Sequence, residues 1–316
     1  MKKFFIKLII FIITFLCLTF ILVFSVPKDE KDYLCEYNYK VDLLKETKEP
    51  RIIFIGGSSV AFGTDSKRIS DSLKLNTINF GMHAGMGIKV PIEDCLQFVR
   101  RGDIIVLQFE YENFYKGGDG GVETIADFLY YTDFRRNLLG IIRPEYFLFS
   151  FPHIAIKNLR IIVYYPFTRT WKLRSLIGNS NYVYSKSGFN EYGDEIGHYN
   201  YPSVPFKKKG KVMRNMPIDK TFINWLSNTI NDYEQKGTKV IMLPPVCIKS
   251  HFERSYSDAI GIALDKIGHP YIYSPKKMVL EDKYSFDTEY HVNKEGVNIN
   301  TQHIIESLRF IKKQHP

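Results

Sequence analysis

The sequence contains few of the residues and motifs that build metal, disulfide or nucleotide sites. It has only four cysteines in 316 residues, and the three beyond residue 27 (Cys35, Cys95 and Cys247) show no CxxC spacing. An odd number without that spacing supports neither a zinc site nor a disulfide framework, although one pair could form. A phosphate-binding loop and a G-x-G-x-x-G dinucleotide motif are both missing. We therefore expect no metal and no nucleotide cofactor.

Acidic charge is scarce relative to basic charge. The chain carries 43 Lys and Arg against 34 Asp and Glu, which gives a formal net charge of +9. Hydrophobic residues make up 45% and charged residues 24%, which is typical of a globular protein and excludes a wholly disordered chain. The length suits one large domain or two small ones. The net positive charge alone is compatible with nucleic acid, an anionic membrane surface or an anionic polymer as partner.

One long hydrophobic run is present, and it lies at the N-terminus. Lys2, Lys3 and Lys7 precede an uncharged segment that covers residues 8–26. As a helix this segment would be about 28 Å long, close to the roughly 30 Å of hydrocarbon in a bilayer. Its end offers no good small-residue cleavage site, so the sequence predicts an uncleaved transmembrane anchor over residues 1–27.

The charges around the anchor predict its orientation. The lysines before the run indicate a cytoplasmic N-terminus by the positive-inside rule, so the rest of the chain is expected outside the cytoplasm. Residues 28–50 are charged and lack clear periodicity, which is typical of a stalk that lifts a domain off the membrane. The globular domain is then expected over residues 51–316.

Beyond residue 50, short apolar runs alternate with segments of helical periodicity. The apolar runs predict strands at 51–55, 77–80, 103–109, 239–243 and near 270–273. Helical spacing and capping residues predict helices at about 66–73, 91–100, 222–233, 253–267 and 294–312. This alternation predicts an α/β fold with a doubly wound parallel sheet, covered on both faces. Ligands of such sheets bind at the carboxyl ends of the strands.

The alternation is interrupted between about residues 116 and 215. Aromatic residues are crowded there and interleaved with arginines and lysines, and no uncharged stretch reaches about 18 residues. We expect a mostly helical insertion followed by loops. Either it packs against the core in the ordinary way, or it presents a face to the membrane or to a partner protein.

Three groups of polar residues follow predicted strands. Gly56-Gly57-Ser58-Ser59 follows the first strand, where a serine on a tight turn projects its hydroxyl into the crevice. Gly81 follows the second strand and could complete an oxyanion hole with its N–H. Asp287 precedes His291 by four positions after the last strand, so the carboxylate could fix the tautomer of the imidazole.

At these residues the chain resembles the SGNH or GDSL hydrolase superfamily, over about residues 51–310. The resemblance implies a flavodoxin-like three-layer fold, with Ser58 as nucleophile, His291 as base, Asp287 as its orienter and the Gly81 N–H as an oxyanion donor. The N-terminal anchor and the YHVNKEG ending are similar to envelope members that act beside membrane-bound O-acyltransferases. Those members take part in D-alanylation of teichoic acids or acetylation of alginate-type polymers.

The chain departs from the pattern of that family in three places. The first block has Gly57 in place of the usual aspartate, and the adjacent Ser59 is an alternative nucleophile because it matches the spacing to Gly63 better. The third block, Gly-x-Asn-Asp, is missing, and Asn113 could supply an amide donor from a shifted position. Three residues rather than two separate the last Asp and His, so Glu289 is an alternative orienter.

The leading hypothesis is a membrane-anchored, extracytoplasmic serine acyl-esterase or acyltransferase that modifies a cell-surface glycopolymer through an acyl-serine intermediate. Its expected partners are that glycopolymer or an acyl donor, together with a membrane-bound O-acyltransferase. The alternative is a catalytically inactive scaffold or binding module in envelope polysaccharide assembly, which the missing third block favours. A nucleic-acid role is disfavoured because the expected compartment is wrong.

Overall fold

The architecture is seen in a computed structural model, which describes residues 1–115, 117–133, 138–169, 171, 182–204 and 216–314. The strands are β1 (Arg51–Gly56), β2 (Asn76–Asn79), β3 (Ile104–Gln108), β4 (Lys239–Met242), β5 (Cys247–Ile248) and β6 (Val279–Leu280). The helices are α1 (Lys2–Phe24), α2 (Glu36–Glu46), α3 (Ser58–Gly63), α4 (Ser66–Leu73), α5 (Lys89–Leu96), α6 (Val122–Tyr131), α7 (Leu138–Ile141), α8 (Pro144–Thr168), α9 (Lys220–Gln235), α10 (Arg254–Lys266) and α11 (Lys294–Gln314).

A parallel sheet of four strands lies at the centre of the domain. Its strand order is β2-β1-β3-β4, and each neighbouring pair is parallel. Ile53 pairs with Ile78 on one side and with Ile105 on the other, and Ile105 pairs in turn with Val240. The α/β class with a parallel sheet is therefore confirmed. The carboxyl ends of β1 and β3 lie side by side.

Both faces of this sheet are covered by apolar packing. Successive side chains of a strand point to opposite faces, and β1 follows this rule. Ile53 and Ile55 belong to one core cluster, which includes buried side chains of α5 and α9. Ile52 and Phe54 belong to a second cluster, which includes side chains of α4 and α11. The apolar run of β1 is continuous because the strand is buried on both sides.

The predicted fifth strand differs from what the structure contains. Near residues 270–273, a single parallel bridge joins Tyr271 to Met242, with a hydrogen bond of 3.2 Å from the Ile272 amide to the Met242 carbonyl. Pro270 has no amide hydrogen to add to a ladder. The chain instead forms β6 further on, which pairs with β5 in a separate two-stranded sheet.

The segment predicted to be a stalk folds onto the domain. Residues 36–46 form α2, and its side chains Tyr37, Val41 and Leu44 are buried in the main core cluster. These three residues are spaced four and three positions apart, which is one face of a helix. The interpretation of 28–50 as a stalk is corrected for α2, which is a packed helix with part of its charge buried.

The first helix and the insertion complete the fold. α1 has 23 residues and a mean hydropathy of 2.9 over its most apolar window, so its length and composition are sufficient to cross a membrane. The described part of the insertion is mostly helical, with α6, α7 and α8 followed by short turns of 3₁₀-helix. Helix α8 packs against both α6 and α1. The rest of the predicted insertion lies outside the described residues.

Candidate active site

The serine pair lies on the tight turn between β1 and α3. Ser58 is the first residue of α3 and lines a cavity of about 760 Å³, here called the serine cavity. Two glycines make the turn possible. A Cβ on Gly56 would lie 2.3 Å from the carbonyl oxygen of Gln108, and a Cβ on Gly57 would lie 2.2 Å from the Glu110 carboxylate. The turn therefore fits closely against β3 and the residues after it.

The two serines occupy different environments. Ser59 is 1% exposed, and its backbone N–H donates a 2.9 Å hydrogen bond to Oε1 of Glu110. Ser58 is partly exposed and lines the serine cavity, whereas Ser59 is buried and is not among the lining residues. This difference favours Ser58 as the hydroxyl that meets a ligand.

His291 lines the same cavity and is held by three neighbours. Its Nδ1 lies 2.8 Å from Oδ1 of Asp287 and 3.3 Å from the hydroxyl of Tyr184, which also donates to Oδ2 of Asp287. The ring of Phe62 stacks on the imidazole with 4.1 Å between centroids and 6° between planes. A carboxylate at Nδ1 fixes the tautomer with the proton on Nδ1, so Nε2 is the nitrogen left to exchange a proton with a ligand or with Ser58.

The environment of Asp287 keeps its carboxylate ionised. Burial raises the pKa of this group, but the hydrogen bonds from His291 and Tyr184 and the nearby imidazoles outweigh burial. The pKa of Asp287 is therefore lowered from its usual value. An ionised Asp287 is what stabilises an imidazolium when His291 accepts a proton.

The backbone N–H of Gly81 is not available to donate a hydrogen bond to an oxyanion. The N–H of Gly81 donates a 2.9 Å hydrogen bond to Oδ1 of Asn79, and both residues are buried. A Cβ on Gly81 would lie 2.6 Å from Cβ of Val60, so a glycine is required there for packing against α3. The expectation that Gly81 is an oxyanion donor is corrected on this ground.

Asn113 is a better placed amide donor. It lines the serine cavity, and among the described residues its Nδ2 donates to the carbonyl oxygen of Glu110 at 3.2 Å and to Oε2 of Glu110 at 3.4 Å. These distances lie at and beyond the upper end of the usual range, so exchanging these bonds for one to a developing negative charge costs less than breaking short ones. The shifted position predicted for this asparagine is consistent with its place in the cavity.

Among the described residues, no hydrogen bond joins Glu289 to the ring of His291. Glu289 is grouped instead with Glu112 and His251, whose ligand atoms all lie within 4.8 Å of one another. The expectation that Glu289 could orient His291 is corrected, because Asp287 makes that bond.

Within the described parts of the chain, these three residues lie close enough together to hold a metal ion. Glu112 accepts a hydrogen bond from Tyr290 at 2.6 Å and pairs with Nε2 of His251 at 3.2 Å. Burial disfavours the charged form of each residue, but these contacts outweigh the effect of burial. The pKa of Glu112 is therefore lowered, and the pKa of His251 is raised. The contacts describe a hydrogen-bonded pair of Glu112 and His251 beside the cavity that Glu112 lines.

Sequence reasoning missed two residues of the site. Glu110 is buried, burial raises its pKa, and it bonds to the turn that carries the serines. Its position just beyond the carboxyl end of β3 could have identified it as a site residue from the sequence. Tyr184 lies in the insertion, far in sequence from Asp287, and no sequence pattern marks it.

Comparison with known proteins gives no family assignment: no protein-family model matches the chain, and no curated protein matches it.

Proposed function

We propose that this protein is a membrane-anchored, extracytoplasmic serine acyl-esterase or O-acyltransferase of the SGNH type, acting on a cell-surface polysaccharide or other glycopolymer. One observation carries the proposal. Ser58 and His291 line one cavity at the carboxyl edge of the parallel sheet, and Asp287 holds the imidazole through a 2.8 Å contact. Ser58 and His291 lie near opposite ends of the domain sequence, so the fold is what brings them to the same cavity.

The proposed chemistry passes through an acyl-serine. Nε2 of His291 accepts the hydroxyl proton of Ser58 while the serine oxygen attacks the carbonyl carbon of an acyl ester. Asp287 stabilises the imidazolium, which then gives its proton to the departing alcohol as the ester bond breaks. Water or a sugar hydroxyl next attacks the acyl-serine, and His291 takes the proton of that acceptor and returns it to Ser58.

The negative charge of the tetrahedral intermediate needs donors in the cavity. Asn113 is the side chain that we assign to this role, because it lines the cavity and its present hydrogen bonds are long. Losing one such donor typically costs about 10²–10³ in rate. A cavity of about 760 Å³ lies in the usual range for ligand sites, which supports a substrate group bound within it.

The location of the site supports a substrate at the cell surface. Helix α1 is long and apolar enough to anchor the chain, and the lysines before it favour a cytoplasmic N-terminus. The domain would then face the outside, where acylated glycopolymers are found and where a membrane-bound O-acyltransferase could hand over an acyl group. The balance between hydrolysis and transfer depends on how well the acceptor excludes water.

The function is tested by the O-acyl content of the surface polymer. We expect mass spectrometry to find altered O-acylation in cells that lack the protein, restored by the native chain and by Ser59→Ala but not by Ser58→Ala. A polymer whose amount changes while its acylation does not, with Ser58→Ala fully active, would instead establish the scaffold role.

A further inference from the structure

Helix α8 carries an apolar stripe that faces away from the protein. The stripe consists of six exposed residues at helical spacing: Leu148, Phe149, Ile156, Leu159, Val163 and Phe167. From first to last they extend about 29 Å along the helix. An exposed apolar surface of this length on a globular domain indicates an interaction site.

The opposite face of α8 is fixed to the end of α1. Ile154 and Ala155 pack in one buried cluster with Val23 of α1 and Tyr130 of α6. Nδ2 of Asn158 donates hydrogen bonds of 3.0 and 2.9 Å to the carbonyl oxygens of Leu22 and Val23, near the end of α1. The stripe is therefore held beside the point where the apolar helix ends.

Basic side chains lie on α8 next to the stripe. Arg160 is exposed on α8 itself, and Arg169 caps its C-terminus. Lys157 is partly exposed and pairs with Asp127 of α6 at 2.6 Å. Basic residues beside an apolar face of Leu, Ile and Phe are typical of helices that lie in a membrane interface with anionic lipids.

We propose that α8 lies in the interface of the same bilayer that α1 spans, with the stripe against the acyl chains and the arginines at the headgroups. This inference rests on the membrane anchoring given under the proposed function. A lipid surface is favoured over a protein partner because α1, whose own exposed side chains must meet lipid, is bonded directly to α8. Two anchored helices would also fix the distance of the serine cavity from the membrane.

The proposal is tested with fluorescent labels on single accessible cysteines of the full-length chain, in which the native Cys95 and Cys247 are buried. In a Cys17→Ala, Cys35→Ala background, cysteine replaces Val163 on the stripe, Phe20 on α1 or Ile262 on α10; these side chains are 56%, 59% and 57% exposed. Each variant carries a nitrobenzoxadiazole label in vesicles of phosphatidylcholine and phosphatidylglycerol. Quenching by brominated acyl chains and by aqueous iodide is then measured.

We expect brominated lipid to quench the labels at Val163→Cys and Phe20→Cys, and iodide to quench the label at Ile262→Cys. Iodide quenching at Val163→Cys, with lipid quenching kept at Phe20→Cys, would overturn the placement of α8 and leave the anchor intact. Protection of Val163→Cys from both quenchers would show a protein on the stripe and also overturn the proposal. Loss of lipid quenching at Phe20→Cys would overturn the anchor itself.

Discussion

Alanine in place of His291 is expected to slow acylation of the protein by a small chromogenic ester by about 10⁴-fold or more. Without the imidazole, Ser58 loses the base that accepts its proton. Asp287→Asn should cause a loss of similar size, because the imidazole would no longer be held in the tautomer that the 2.8 Å contact between Nδ1 and Asp287 fixes. The measurement is the first-turnover release of nitrophenolate by the purified full-length chain, since acylation does not depend on the acceptor.

Glu289→Gln is the matched control for this prediction. Glu289 is a carboxylate near the same histidine in sequence, but it is grouped with Glu112 and His251. Its replacement should change the acylation rate by no more than about twofold. A loss at Glu289→Gln as large as that at Asp287→Asn would contradict the assignment of the orienting residue.

Asp103→Ala is expected to lower the free energy of unfolding by about 3–5 kcal/mol. Arg51 and Asp103 form an ion pair in which both side chains are fully buried. The guanidinium also donates to the carbonyl oxygens of Leu44 in α2 and Phe98 after α5, so it ties β1 to two helices. Removing the carboxylate would leave a buried, unpaired positive charge. Chemical denaturation of the full-length chain in detergent measures the effect.

The control for the buried pair is an exposed one. Asp71 pairs with Lys67 at 2.8 Å on the surface of α4, where the side chains are 67% and 62% exposed. Asp71→Ala should lower the free energy of unfolding far less than Asp103→Ala does, because solvent screens such a pair. Equal losses for Asp71→Ala and Asp103→Ala would show that the buried pair stabilises the protein no more than the exposed pair.

The sequence was informative where local pattern determines structure. The apolar run of β1 and the capping residue Asp65 of α4 predicted their elements closely, and the side chain of Asp65 does accept a hydrogen bond from the Arg68 amide. The pairing of Asp287 with His291 was also predictable, because four positions of chain separate them.

Features that depend on distant contacts could not be predicted in this way. Nδ2 of Asn79, whose Oδ1 accepts from the Gly81 amide, donates a hydrogen bond to Asp194, 115 positions away. Tyr184 reaches Asp287 from the insertion, 103 positions away. Helix α2 was missed because its charged residues obscured the buried face of Tyr37, Val41 and Leu44.

The site of covalent modification by a fluorophosphonate shows whether Ser58 is a nucleophile activated by His291. The full-length chain is treated with the reagent, digested and analysed by mass spectrometry, beside the Ser58→Ala, Ser59→Ala and His291→Ala variants. We predict an adduct on Ser58 that persists in Ser59→Ala and is lost in Ser58→Ala and His291→Ala. An adduct on Ser59, or no serine adduct in the native chain, would show that Ser58 is not the nucleophile.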